Sequence, residues 1–207
     1  MRRLVIVHAA TLLACAAAVA LPGEGALAQQ APGATAPSQL QQDAGGRQFW
    51  GSVGLSEGRA ALTCGFCTER MRSSYAGTLA FGVRVRGRTL LGVELQGWRY
   101  ANHDATQRVY AAAPVGYLYP WRRPVYVKAG LGVASFASTD GEDRLSNTSL
   151  AGVVGAGFDV RLTPNYVLTP YLSFLNGAGG TMRLNDETVT KASGVRLLQY
   201  GVAVALR

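Results

Sequence analysis

The chain has 207 residues, of which 48% are hydrophobic and only 15% charged, with a formal net charge of +8. That length suits one domain of ordinary size. The basic residues are spread along alternating segments with no basic helix, which argues against nucleic acid as a partner. No stretch after residue 28 approaches the ~20 apolar residues of a membrane helix, which leaves an exported β-protein or a barrel.

The chain opens with an export signal. Met1-Arg2-Arg3 is a positive start, residues 4–21 are apolar and Ala-rich, and Ala26-Leu27-Ala28 is a small-residue cleavage site. Cleavage is expected after Ala28. It leaves 18 basic and 11 acidic residues, a net +7 suited to anionic lipid head groups. Residues 29–46 are rich in Gln, Ala, Pro and Gly without periodicity, and are expected to form a disordered leader. From residue 47 to 207 the chain alternates between apolar β-runs and turn clusters.

Eight strands are predicted: 48–58, 74–86, 89–100, 107–119, 124–137, 149–162, 166–176 and 195–206. Each is near or above the ~9–11 residues that a tilted strand needs to cross a bilayer. Most strands of soluble domains are shorter, with a mode of about 5–6 residues. Short turns at 86–88, 121–123 and 163–165 alternate with longer loops at 59–73, 101–106, 138–148 and 177–194. An even strand number with loops sorted by length is the pattern of an outer-membrane barrel, short turns periplasmic. Pro114 and Pro170 fall within strands and lead to the expectation of bulges. Trp50, Trp98, Tyr100, Tyr117, Tyr119, Trp121 and Tyr166 lie toward strand ends and read as interfacial girdles.

The last strand states the pattern most fully. Leu198, Tyr200, Val202, Val204 and Leu206 share one face, and Gln199, Gly201, Ala203 and Ala205 the other. Over residues 47–207 the chain resembles the small eight-stranded outer-membrane barrels, the OmpX-like and OmpA-membrane-domain kind. The resemblance rests on pattern and architecture. It implies an all-β, eight-stranded antiparallel up-and-down transmembrane β-barrel in the outer membrane of a Gram-negative-type bacterium. Such barrels usually end in an aromatic residue, whereas here Leu206 and Arg207 stand at the end.

With apolar faces toward lipid, mid-strand charge falls inward. Three-residue turns pair Ala80 with Glu94, Gly116 with Lys128, and Gly157 with Tyr171. Glu94, Lys128 and Asp159 then sit at similar heights, with Arg84 and Arg161 lower, and an ion-pair cluster of these five is predicted in the lumen. A barrel of eight strands encloses little beyond side-chain volume, so a plug is expected rather than a pore.

Cys64 and Cys67 lie in the first long loop, where an oxidising compartment favours a disulfide. His103 is the only other soft ligand after residue 28, and zinc sites as a rule need four, so neither metal nor cofactor is expected. His103 is also the only imidazole base on offer, and no Ser accompanies it in a recognisable spacing. The expected role is therefore a non-enzymatic structural or surface-interaction protein. Its expected partners are outer-membrane lipid, lipopolysaccharide and an extracellular partner met through the loops, with the protein a monomer. The alternatives are a lipid-A-modifying barrel enzyme and a soluble periplasmic barrel holding a small apolar ligand.

Overall fold

The computed structural model describes residues 49–65, 71–86, 88–103, 105–120 and 124–206. Residues 1–48, which include the expected export signal and leader, lie outside them. Alternation builds β1 (Phe49–Cys64), β2 (Arg72–Arg86), β3 (Thr89–Ala101), β4 (Ala105–Leu118), β5 (Val125–Asp140), β6 (Asp143–Phe158), β7 (Val160–Arg161), β8 (Tyr166–Leu184) and β9 (Glu187–Leu206). The two residues of β7 continue β6 beyond Asp159, and both segments pair with β8. The wall therefore has eight staves, all antiparallel to their neighbours in chain order. β1 closes on β9 from Gly51↔Leu206 to Cys64↔Ser193, so the sheet has no free edge.

Burial follows the pleat. In β3, Leu90, Glu94, Gln96 and Trp98 are buried, while Leu91, Val93 and Leu95 are exposed. The outer face is apolar all round. Leu131 is 77% exposed and Leu150 76%, with Val53, Leu55, Phe81, Leu172 and Val204 also on the surface. Such a continuous apolar skin far exceeds the patches that soluble monomers carry.

Three sequence expectations change. Three predicted loops are wholly or partly ladder: in the first, β1 runs on to Cys64 and pairs there with Ser193. β5 and β6 pair as far as Asp140↔Asp143, and β8 and β9 as far as Leu184↔Glu187. Asn185 (φ 49°) and Asp186 (φ 70°) form the tight turn between the latter, with the left-handed backbone that Asn and Asp tolerate. In these extensions a few apolar residues, Leu145, Met182 and Leu184 among them, stand between polar and small ones, so they carried no sustained amphipathic signal. At the prolines, pairing passes from Ala112↔Val133 to Val115↔Gly130, and from Gly157↔Tyr171 to Val160↔Leu168, with the register kept. Each proline interrupts the ladder without adding a residue. A register shift falls instead between Asn176 and Gly180, around Gly179 (φ 67°).

The third change concerns the turn after β4. Its connection is longer than three residues, and Tyr117, not Gly116, pairs with Lys128. A one-residue slip exchanges the faces of a strand. Tyr117 thus enters the lumen, and so do Trp50 and Trp98, which removes all three from any girdle. Of the expected girdle Tyr166 is exposed on the outer face and Trp121 lies outside the described residues; the other exposed aromatics there are Phe49, Tyr75, Phe81, Tyr110, Phe158, Phe174 and Tyr200.

Candidate functional site

The lumen holds the chemistry. Glu94 projects from β3 and Lys128 from β5, and both are buried. The Lys128 ammonium lies 2.6 and 2.7 Å from the two carboxylate oxygens of Glu94. Tyr117 donates its hydroxyl to Glu94 Oε2 at 2.6 Å, and Gln96 Nε2 donates to Oε1 at 2.6 Å. Each carboxylate oxygen so receives two donors. That is the degree of pairing a buried ion needs to offset its lost hydration. Lys128 also lies 5.7 Å from the centre of the Tyr171 ring.

Small residues make this possible. Ala80 faces Glu94 across the β2–β3 pair. Gly155 faces Lys128, and a Cβ there would fall 2.7 Å from Lys128 Cε. Aromatic rings fill the space toward the turn end. Trp50 meets Tyr117 edge-on at 5.0 Å, and Tyr126 lies 5.4 Å from Tyr117 and 5.7 Å from Tyr119. The cavity left among Trp50, Thr78, Glu94, Lys128 and Tyr171 is about 20 Å³. That is room for roughly one water.

Asp159 forms a second node. It sits in the break between β6 and β7, where its N–H donates to Pro124 O at 2.7 Å. Its carboxylate accepts from Thr169 Oγ1 at 2.8 Å and from Tyr119 Oη at 2.9 Å. Arg84 is half-buried near the turn end, and Arg161 is exposed in β7. Among the described residues neither comes within ion-pair distance of a carboxylate. The geometry thus joins Glu94 to Lys128, holds Asp159 apart among hydroxyl donors, and leaves Arg84 and Arg161 outside both. Sequence reasoning turned Gln96 and Tyr126 inward without joining them to the cluster, and it missed Tyr117 and Trp50. Gln96 is Glu94's neighbour on the same face of β3, and Tyr117 reaches it once the β4 register is right.

Toward the loop end the lumen mixes buried polar and apolar side chains. Gln199 is 0% exposed, and neither side-chain polar atom finds a protein partner; Gln96 Oε1, Asn147 Oδ1 and Ser149 Oγ are in the same position. Internal water is what satisfies such groups. Val109, Phe136, Leu175, Val195 and Leu197 pack with Trp98, whose indole donates to Gly58 O at 2.9 Å.

Cys64 ends β1 opposite Ser193. Cys67 lies outside the described residues, as does Asp104. His103 is exposed at the β3–β4 tip, where its backbone N–H donates to Asn102 Oδ1 at 2.8 Å. Among the described residues no hydrogen bond holds its ring, and no three His, Cys, Asp or Glu side chains gather.

No protein-family model matches the chain, and no curated protein matches it. Solved structures do. The chain is similar to Neisserial surface protein A at 15% identity, over 76% of this chain and 96% of that one, with a TM-score of 0.56. It also aligns with Ail, the attachment invasion locus protein of Yersinia pestis (12% identity, 74% and 97% covered, TM-score 0.49). A third match is the outer membrane protein OprG of Pseudomonas aeruginosa (11%, 76% and 94%, 0.44). At these identities the likeness is one of fold. The barrel has the architecture of the small eight-stranded outer-membrane proteins.

Proposed function

We propose that this protein is an exported outer-membrane barrel with a structural or surface-interaction role, whose lumen is shut by its own side chains. The observation that carries the reading is the division of the wall. The outer face is apolar all round, and the mid-barrel charges Glu94 and Lys128 are both inside and neutralise each other. An Arg or Lys facing lipid at the midplane would cost about 2–4 kcal/mol, so this sorting is what hydrocarbon demands. The domain scheme is signal 1–28, leader 29–46 and barrel 47–207. The short turns face the periplasm. The loop end meets lipopolysaccharide and extracellular partners, and the protein acts as a monomer without catalysis. The lumen centre is the Glu94–Lys128 pair, with Asp159 as a separate node and Arg84 and Arg161 at the periplasmic rim.

Fractionation of the cell envelope, followed by a heat-modifiability gel, tests this. The barrel should sediment with outer membrane and migrate differently before and after boiling. Recovery in a soluble fraction without detergent would support the small apolar-ligand barrel instead. A Cys64–Cys67 disulfide belongs to the proposal: two cysteines stand three apart at a loop of an exported chain, where an oxidising compartment favours the bond. Maleimide added to the unfolded, unreduced protein should therefore leave both unlabelled; two labelled thiols would remove the bond.

A further inference from the structure

The outer face carries a basic patch just where its apolar skin ends. Arg99 of β3 and Arg108 of β4 are directly opposite each other, both exposed. Cβ atoms in such a pair are about 4.5–5.5 Å apart, and like charges so placed repel. The same row of paired residues continues from Arg108 to Ala137, Ser146 and Arg183. Three strand spacings place Arg183 roughly 14 Å from Arg108. The floor between them consists of small side chains. Among the described residues no carboxylate lies within 4.0 Å of Arg99, Arg108 or Arg183. The same rim offers a contrast in Arg59, which has Glu57 at 3.8 Å.

Directly below the patch lie Leu95, Tyr110, Val133 and Leu150, all exposed. Three guanidiniums without carboxylate partners above an apolar wall match an amphiphile with anionic head and acyl tails. Guanidinium binds phosphate in a bidentate fork. We infer that Arg99, Arg108 and Arg183 form a site for the phosphate groups of an acylated outer-leaflet lipid, whose chains lie along the β4–β6 wall. The patch borders the lipid-facing band on the wall of the barrel, which favours a membrane lipid over a sulfated polysaccharide arriving from outside. The inference rests on the outer-membrane reading and narrows it to one surface and one ligand chemistry.

The test uses bis-phosphorylated lipid A as probe. Protein in detergent is mixed with it, or with the same lipid A after phosphatase treatment, and retained lipid is read by native mass spectrometry. The wild type should retain the phosphorylated form about tenfold better or more, since charge-assisted contacts are what distinguish the two. R99A/R108A/R183A should lose that preference, and R59A should keep it. Equal retention of both lipids by the wild type would overturn the inference without reference to any variant. So would an unchanged preference in the triple variant, or binding of a sulfated oligosaccharide in place of lipid A. The two readings fail separately. A protein that inserts into neutral phosphatidylcholine vesicles and stays heat-modifiable, yet ignores the phosphates, refutes the site alone. A protein that does not insert at all refutes the membrane reading.

Discussion

Replacing Lys128 with Met should lower the unfolding free energy by about 3–5 kcal/mol, the range for breaking a buried pair from one side. The cause is the partner left behind. Glu94 would keep its donors Tyr117 and Gln96 but lose both ammonium contacts, at 2.6 and 2.7 Å. Its charge would then stand uncompensated inside the wall. Adding Glu94→Gln should restore most of the loss, because a buried pair removed together is often nearly neutral. Urea unfolding of vesicle-inserted protein, followed by tryptophan fluorescence, measures both variants. A single variant within about 1 kcal/mol of wild type, the scale of an exposed ion pair, would show that the pair carries no such weight.

Trp98→Ala should cost a similar amount by a different mechanism. The indole is 2% exposed, stacks on Tyr100 at 6.3 Å and donates to Gly58 O at 2.9 Å. Its closeness to β1 is built in, since a Cβ on Gly58 would fall 2.6 Å from the ring. Truncation leaves a void under the loops and a carbonyl without its donor. Large-to-small changes of this kind cost about 3–5 kcal/mol. Trp98→Phe, which retains most of the volume, should lose much less, chiefly the hydrogen bond at roughly 1 kcal/mol. The same unfolding assay ranks the three proteins. A Phe variant as unstable as the Ala variant would mean that the hydrogen bond outweighs the packing.

The sequence revealed the barrel because lipid and lumen impose opposite preferences on alternate residues. Leu79, Phe81, Val83 and Val85 against Thr78, Ala80, Gly82 and Arg84 leave little choice of face. Where apolar residues no longer alternate over a run the signal vanishes. The ladder from Ser146 to Asp143 and from Gly180 to Leu184 therefore read as loop. The girdle failed for a related reason. Aromatic residues suit an interface and a narrow lumen equally well, and only register decides between them. For Trp50 and Trp98, the faces of β1 and β3 already pointed inward. For Tyr117 the register was misjudged by one residue, because the length of the connection after Leu118 is not marked by any Gly-containing tight turn. That slip hid the donor to Glu94. The lumen charges were found because charge is rare in these strands, but the spacing along a strand gives height without azimuth. It placed Asp159 level with Glu94 and Lys128 and could not show that Thr169 and Tyr119 would hold it apart.

A barrel that crosses the bilayer with its lumen shut around Glu94 and Lys128 should pass no ions. The most direct measurement is a planar-bilayer recording of the refolded wild-type protein. The expected trace is a flat baseline, because the space beside the ion pair is about 20 Å³ and rings fill the lumen toward the turn end. A steady ionic conductance, present at the first insertion and proportional to the number of inserted molecules, would contradict it.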